Sequence, residues 1–157
     1  MSRFIAFLAA FLIAMSANAG NFFPPDFKQF PFREGDLLVS QRGSGKFAVN
    51  KVLKVDCVDL RKNASINIQG KQFVLPEDDY LLVVSAAYGV DEFDSFEQAR
   101  AAALSGTWTL HIAHVPNRPA GAAAGQVLAG HAAVKDAELD GYRLWREAFD
   151  KGEAGVY

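Results

Sequence analysis

Residues 35–56, GDLLVSQRGSGKFAVNKVLKVD, constrain the fold more than any other stretch because they predict a β-hairpin. A short apolar run at residues 37–39 is followed by a glycine-containing turn at 42–45 and a long returning strand. Two such runs joined by a few turn residues are typical of a hairpin. Side chains alternate along a strand. One apolar face of the returning strand is therefore predicted to carry Phe47, Val49, Leu53, Val55 and Cys57. Lys51 interrupts that face.

The first 19 residues predict a secretory signal peptide. Arg3 precedes an apolar core at residues 4–15, and small residues at 16–19 end in an A-x-A pattern. That core is shorter than the roughly 20 apolar residues that a bilayer-spanning helix needs. We expect cleavage after Ala19 and export of residues 20–157 to a bacterial periplasm.

The charge and hydropathy of the chain indicate which classes of binding partner are not expected. The formal net charge is −2, and acidic and basic residues are interspersed. Such a weak field gives no reason to expect nucleic acid as a partner. No second long apolar run follows residue 19, so the mature chain is predicted to have no integral membrane segment.

Cys57 is the single cysteine, which excludes an intramolecular disulfide bond. Its place on the predicted apolar face favours a buried, inert thiol over a reactive one. Stability is therefore expected to come from packing of the core.

Residues 20–34 predict an extended aromatic arm, because Pro24, Pro25 and Pro31 disfavour a helix there. Two alternatives stay open for its rings. They pack at the edge of the core, or they form an exposed patch that binds a partner. The rings in question are Phe22, Phe23, Phe27, Phe30 and Phe32.

The remaining residues, 35–157, are predicted to form a single α+β domain with a β-rich N-terminal half, two helices and further strands. A second hairpin has Gly70 at its tip, and residues 80–87 predict a strand that is buried on both faces. Asp94 or Ser95 begins a helix that runs to residue 104, and residues 107–115 predict a strand. The strand at residues 107–115 lies either parallel to the strand at residues 80–87, after a crossover connection, or antiparallel to it.

Residues 116–130 are rich in proline, alanine and glycine, and they predict a mobile loop. Asn117 and Arg118 on this loop are candidate partner contacts. A short strand is expected at residues 131–134, and a last helix at residues 136–151.

No motif of established chemistry is complete. The run Gly43-Ser44-Gly45-Lys46 lacks the first glycine and the final Ser or Thr of a phosphate-binding loop, so it predicts a turn. His114 and His131 are candidate metal ligands, which can meet only if the segments on the two sides of the 116–130 loop pair with each other. No cofactor is predicted, and no catalytic set converges.

The pattern G-D-x-L-V, turn, G-K-F-A-V-x-K-V-L-x-V-D over residues 35–56 resembles the opening hairpin of small SH3-like barrels. It is also similar to hairpins in several bacterial toxin-immunity families, which implies a partial barrel and an inhibitory role without assigning contact residues. The rest of the chain is similar to bacterial exported proteins that have no characterised family.

Three hypotheses for function follow. The first is an exported, non-enzymatic binding protein, such as an immunity or inhibitor protein that blocks a toxin or hydrolase and so has another protein as partner. The second is a small periplasmic hydrolase or ligand-binding domain, with a metal held by His114 and His131 as one form of it. The third is a structural component of the envelope.

Overall fold

The structure is a computed structural model and describes residues 20–157. The predicted signal peptide, residues 1–19, lies outside the described residues. The described chain is an α+β fold rich in strands, as the sequence predicts. The strands are β1 (Asp36–Gln41), β2 (Phe47–Leu60), β3 (Ser65–Ile68), β4 (Lys71–Val74), β5 (Asp79–Gly89), β6 (Leu110–Asn117) and β7 (Gln126–His131). The α-helices are α1 (Phe96–Ser105), α2 (Pro119–Ala123) and α3 (Asp140–Asp150), and 3-10 turns span Pro25–Phe27 and Asp136–Leu139.

Five strands form one antiparallel sheet in the order β6, β5, β2, β1, β7. β1 and β2 form the predicted hairpin, with Val39 opposite Val49. β6 lies antiparallel beside β5, so the chain returns after α1 without a crossover. The second predicted hairpin is the separate pair β3 and β4, in which Gly70 adopts a positive φ of 77° at the turn.

A bulge in β2 exchanges its two faces. Val52 pairs with Ala86 and Lys54 pairs with Ser85, which leaves Leu53 as the extra residue. One inserted residue moves every later side chain to the opposite face, because the period of a strand is two. Val49 and Lys51 therefore share a face with Val58 and not with Cys57.

The predicted burial of Cys57 is wrong for this reason. The thiol side chain is exposed, while its neighbour Val58 is 1% exposed. A strict alternation through all of β2 assigns Cys57 to the apolar face, but alternation restarts after Leu53. Burial, with the charges of Asp59 and Asp56, still raises the pKa of the thiol.

The helices α1 and α3 cover one face of the sheet. The alanines of α1 pack on Leu37, Val39 and Val49 at one end. Trp145 of α3 packs with Val58 and others at the opposite end. The other face carries a smaller cluster of Leu38, Val52 and Val84, covered by Ala122 of α2. This layering places most of the apolar side chains against the sheet.

The rings of the arm pack on the core. Phe23 is 5% exposed and belongs to the cluster that contains Trp145, where Phe22 and Phe27 join it. Phe30 and Phe32 pack on the opposite face of the sheet, in edge-to-face contact with each other. Of the two alternatives for the arm, the structure shows packing.

The segment predicted as a mobile loop, residues 116–130, has regular structure. Pro116 and Asn117 end β6, α2 follows, and β7 begins at Gln126. The strand expected at residues 131–134 therefore lies earlier and ends at His131. Alanine and glycine make this stretch resemble a linker, but β7 is fixed because it pairs with β1.

The two predicted helices are present. The Ser95 side chain caps α1 by accepting a hydrogen bond from the Gln98 N–H over 3.2 Å, and Gly106 ends it at a φ of 69°. The last helix divides into the 3-10 turn Asp136–Leu139 and α3, which Gly152 follows at a φ of 74°. Among residues 20–157, no helix has the length and apolar character that crossing a membrane requires.

Candidate functional site

A cavity of about 510 Å³ lies over the helix-covered face of the sheet. Leu53 and Ala87 on the sheet form its floor, and Trp108 and Leu110 form one side. Ala103 of α1 and the residues that lead into α3 line the remaining sides. The volume is in the range of small-molecule binding sites.

Small side chains leave this space open. Half of the lining residues are alanine or glycine, among them Ala113, Ala132, Ala133, Ala137 and Gly141. Larger side chains at the alanine positions would reduce the volume of the cavity, whereas a Cβ atom at Gly141 would lie 2.5 Å from His114 Cβ. Leu110, which is 52% exposed, places an apolar surface at the mouth.

Trp108 is the one aromatic side chain among the described lining residues, and Gly89 allows it to approach the sheet closely. A Cβ atom at Gly89 would lie 2.8 Å from the Trp108 ring. The absence of that atom allows the indole to rest on β5 while it lines the cavity. Trp108 therefore offers a flat apolar wall to a ligand.

A buried lysine lies at the floor of the cavity. The side chain of Lys51 is 6% exposed, and its Nζ lies 2.9 Å and 3.0 Å from the two carboxylate oxygens of Glu138. Nζ also donates to the carbonyl oxygen of Ala133 over 3.2 Å. A buried ammonium needs such partners, because its isolated charge is costly away from water.

Glu138 brings the counter-charge from the 3-10 turn that precedes α3. Burial alone would raise the pKa of this carboxyl group, but the Lys135 N–H, the Lys51 hydrogen bond and the Lys51 charge together lower it. Its Oε2 accepts from the Lys135 N–H over 2.7 Å. The charged pair therefore ties the segment at residues 133–138 to the centre of the sheet.

The two candidate metal ligands lie far apart in the sheet. His114 is on β6 and His131 is on β7, the two edge strands, and these strands do not pair with each other. His131 Nδ1 is hydrogen-bonded to Asp36 over 3.1 Å. Within residues 20–157, no three His, Cys, Asp or Glu side chains lie close enough together to hold a metal ion.

His114 forms a serine–histidine pair without access to substrate. Its Nε2 lies 2.9 Å from Ser85 Oγ, and Ser85 is 0% exposed. Burial lowers the pKa of His114, which favours the neutral ring. A nucleophile must reach its substrate, so this pair fits a structural hydrogen bond better than catalysis.

Four of the predicted contact residues meet around a second cavity, of about 430 Å³. They are Phe22, Phe23, Phe27 and Arg118. Asn117 is engaged internally instead, because its Nδ2 donates to Tyr88 Oη and to the Val115 carbonyl oxygen, each over 3.0 Å.

Sequence reasoning did not identify the first cavity, although one signal was present. Lys51 is a charged residue on an otherwise apolar strand face, which marks a buried charge that needs a distant partner. Glu138 lies 87 positions away along the chain, and no local pattern links the two.

Comparison of the chain with protein-family models, with curated proteins and with solved structures finds no match. The resemblance of residues 35–56 to SH3-like barrels and toxin-immunity proteins accordingly stays a prediction.

Proposed function

We propose that the chain is a non-enzymatic binding protein that holds a small, largely apolar ligand in the 510 Å³ cavity. The observation that carries the proposal is the cavity itself, with its alanine-rich lining and the Trp108 wall. Ligand sites are typically concave, mostly apolar and supplied with a few placed polar groups. Here the Lys51–Glu138 pair supplies the polar groups.

The lining favours binding over catalysis. Its titratable side chains within the described residues are Lys51, Lys135, Glu138 and Asp140. Lys51 and Glu138 satisfy each other, and no serine, threonine, cysteine or histidine lies beside them in the lining. A covalent mechanism needs a nucleophile next to a base, so we assign the cavity a binding role.

The predicted signal peptide supports a role in the periplasm. Intact mass of the protein recovered after export of the full chain tests this point. Cleavage after Ala19 gives a chain that begins at Gly20, whereas retention of residues 1–19 contradicts export through a cleaved signal.

A second candidate is the inhibitor or immunity role, with another protein as partner. It is favoured by the edge strand β7, where Val127 and Leu128 are 52% and 53% exposed. An edge strand offers unpaired backbone groups to an extended segment of a partner. The rings of the arm pack on the core but stay partly exposed at Phe22 and Phe27, so this role would use only part of the arm.

Titration of the purified, exported protein with 1-decanol by calorimetry tests the proposed function. We expect saturable binding at one site, which Ala113→Phe abolishes, because a ring at this exposed lining position enters the cavity. Ala101→Phe is the matched control, since Ala101 is an exposed residue of α1 outside the lining. Absence of binding, or equal binding by both variants, contradicts the assignment.

A further inference from the structure

Four phenylalanine rings line the second cavity, which lies where the arm meets the β3–β4 hairpin. Phe22 is in edge-to-face contact with Phe23 and Phe73, at ring-centroid distances of 5.0 Å and 6.4 Å. Phe27 continues the group, 5.3 Å from Phe23. The lining is therefore suited to a flat apolar group, because aromatic rings contact one another favourably at these distances. We call this cavity the aromatic cleft.

The charges of the aromatic cleft are all positive. Arg118 and Lys71 line it, and its lining contains no aspartate or glutamate. Neither cation takes part in an ion pair within residues 20–157; the ion pairs there join other residues, such as Lys28 with Asp79. An anionic group in the cleft therefore meets two cations and no aspartate or glutamate side chain among the described lining residues.

Arg118 lies beside the rings, and one of its side-chain donors has no partner among residues 20–157. Its guanidinium lies 5.7 Å from the centre of the Phe27 ring, a cation–π distance. Its Nε is buried and has no hydrogen-bond partner among the described residues. A buried donor that lacks a partner is costly, so an acceptor that reaches the guanidinium is stabilised.

We propose that the aromatic cleft is a second binding site, which takes a small aromatic carboxylate. The ring of the ligand lies against Phe22, Phe27 and Phe73, and its carboxylate accepts hydrogen bonds from the Arg118 guanidinium. Planar guanidinium and carboxylate groups match each other in two parallel hydrogen bonds. Lys71, an exposed residue at the rim, adds attraction for the same charge.

This site is independent of the 510 Å³ cavity. The two cavities share no lining residue, and the aromatic cleft is built by the arm, β3, β4 and the residue after β6. Failure of 1-decanol to bind the first cavity therefore leaves the present proposal standing, and the reverse also holds.

Three ligands of the same size and different charge test the proposal on the full, exported protein. They are 3-phenylpropionate, 3-phenylpropanol and 3-phenylpropylamine, titrated by calorimetry. We expect the carboxylate to bind about tenfold more tightly than the alcohol, since a charge-assisted hydrogen bond is stronger than one between neutral groups. The amine is expected to bind more weakly than the alcohol. Equal affinities for all three, or no binding of the carboxylate, would overturn the proposal.

Three substitutions test whether the carboxylate binds in the aromatic cleft. Arg118→Met is expected to remove the preference for the carboxylate while leaving the alcohol bound. Lys71→Met, at an exposed position, is expected to weaken the carboxylate about twofold to threefold, because a rim charge acts through solvent. Arg143→Met is the matched control on α3, outside the cleft, and retains the full preference. If Arg118→Met fails to fold, the proposal is tested by the effect of Lys71→Met on carboxylate affinity and by the order of affinities of the three ligands for the wild-type protein. A preference for the carboxylate that survives Arg118→Met, or a carboxylate affinity that Lys71→Met leaves unchanged, contradicts a site in the cleft.

Discussion

The hydroxyl of Tyr142 donates a hydrogen bond to Asp56 Oδ2 over 2.8 Å, which joins α3 to β2. Burial, followed by the hydrogen bond and the negative charge of Asp56, raises the pKa of Tyr142 to about 12. Arg146 approaches the same carboxylate at 3.2 Å, so Asp56 holds α3 through two side chains. The bulge at Leu53 makes this contact possible, because it turns Asp56 toward the helices.

Tyr142→Phe is expected to reduce the loss of stability at alkaline pH. The folded pKa lies above the unfolded value of 10.0, so the contribution of Tyr142 is complete below pH 10.0 and is lost as pH rises toward 12. Urea unfolding of both proteins across this range measures the difference. Identical pH profiles for wild type and variant would show that the Tyr142–Asp56 bond does not contribute.

Glu138→Gln is expected to destabilise the fold more than Lys51→Met. The first change leaves the ammonium of Lys51 buried without a counter-charge, at a cost of about 3 kcal/mol. The second change leaves Glu138 without its cation, but the Glu138 side chain is 32% exposed and its carboxylate remains accessible to water. Free energies of unfolding from urea titration rank the two variants. The reverse ranking would contradict the assignment of Lys51 as the buried member of the pair.

The decrease in the free energy of unfolding at acidic pH provides an independent test of the Lys51–Glu138 pair. The pKa of Glu138 is lowered from 4.5, so its contribution is present above pH 4.5 and is lost as pH falls through the lowered value. Glu138→Gln is therefore expected to flatten the profile below pH 4.5. If the free energy of unfolding falls with pH in the same way in the variant and the wild type, other carboxyl groups cause the loss of stability at acidic pH.

Cys57 is expected to react with a thiol reagent in the folded protein. The side chain is exposed, and the raised pKa makes the reaction slow at neutral pH and faster as pH increases. Absorbance of the released thiolate of a disulfide reagent follows the reaction. A thiol that reacts only after addition of denaturant would be buried, as strict alternation along β2 predicts.

Phe23→Ala is expected to lower the free energy of unfolding by about 3 kcal/mol or more, because it leaves a cavity beside a buried cluster. Leu144→Ala is the control, since Leu144 is 70% exposed on α3 and contributes little. Thermal and urea unfolding measure both. A Phe23→Ala variant as stable as wild type would show that the arm does not belong to the core.

The elements that local pattern specifies were predicted from the sequence. Turn glycines and apolar alternation predict both hairpins, and Ser95 with Gly106 marks the two ends of α1. The same reasoning was wrong for residues 116–130, because β7 is a strand by virtue of its pairing with β1 rather than its composition. Cys57 was misplaced because a bulge is a property of two paired strands, and one strand's sequence does not show it.

Both cavities depend on contacts that are distant in sequence. Lys51 and Glu138 meet only when β2 and the turn before α3 are folded together. The aromatic cleft likewise needs the arm beside β4, where Phe22 meets Phe73. The sequence did single out Phe22, Phe23 and Phe27, because aromatic residues are enriched at interfaces, and Arg118 as part of the loop predicted at residues 116–130. Their meeting around one cavity is a tertiary feature.

Nuclear magnetic resonance would show whether the 510 Å³ cavity takes up a ligand. Amide spectra of the full, exported protein would be recorded during titration with 1-decanol. We expect progressive shifts at lining residues from three separate parts of the chain, Ala87, Ala103 and Ala133, and at the Trp108 indole. Spectra in which these signals do not move at saturating 1-decanol would contradict a ligand site in this cavity.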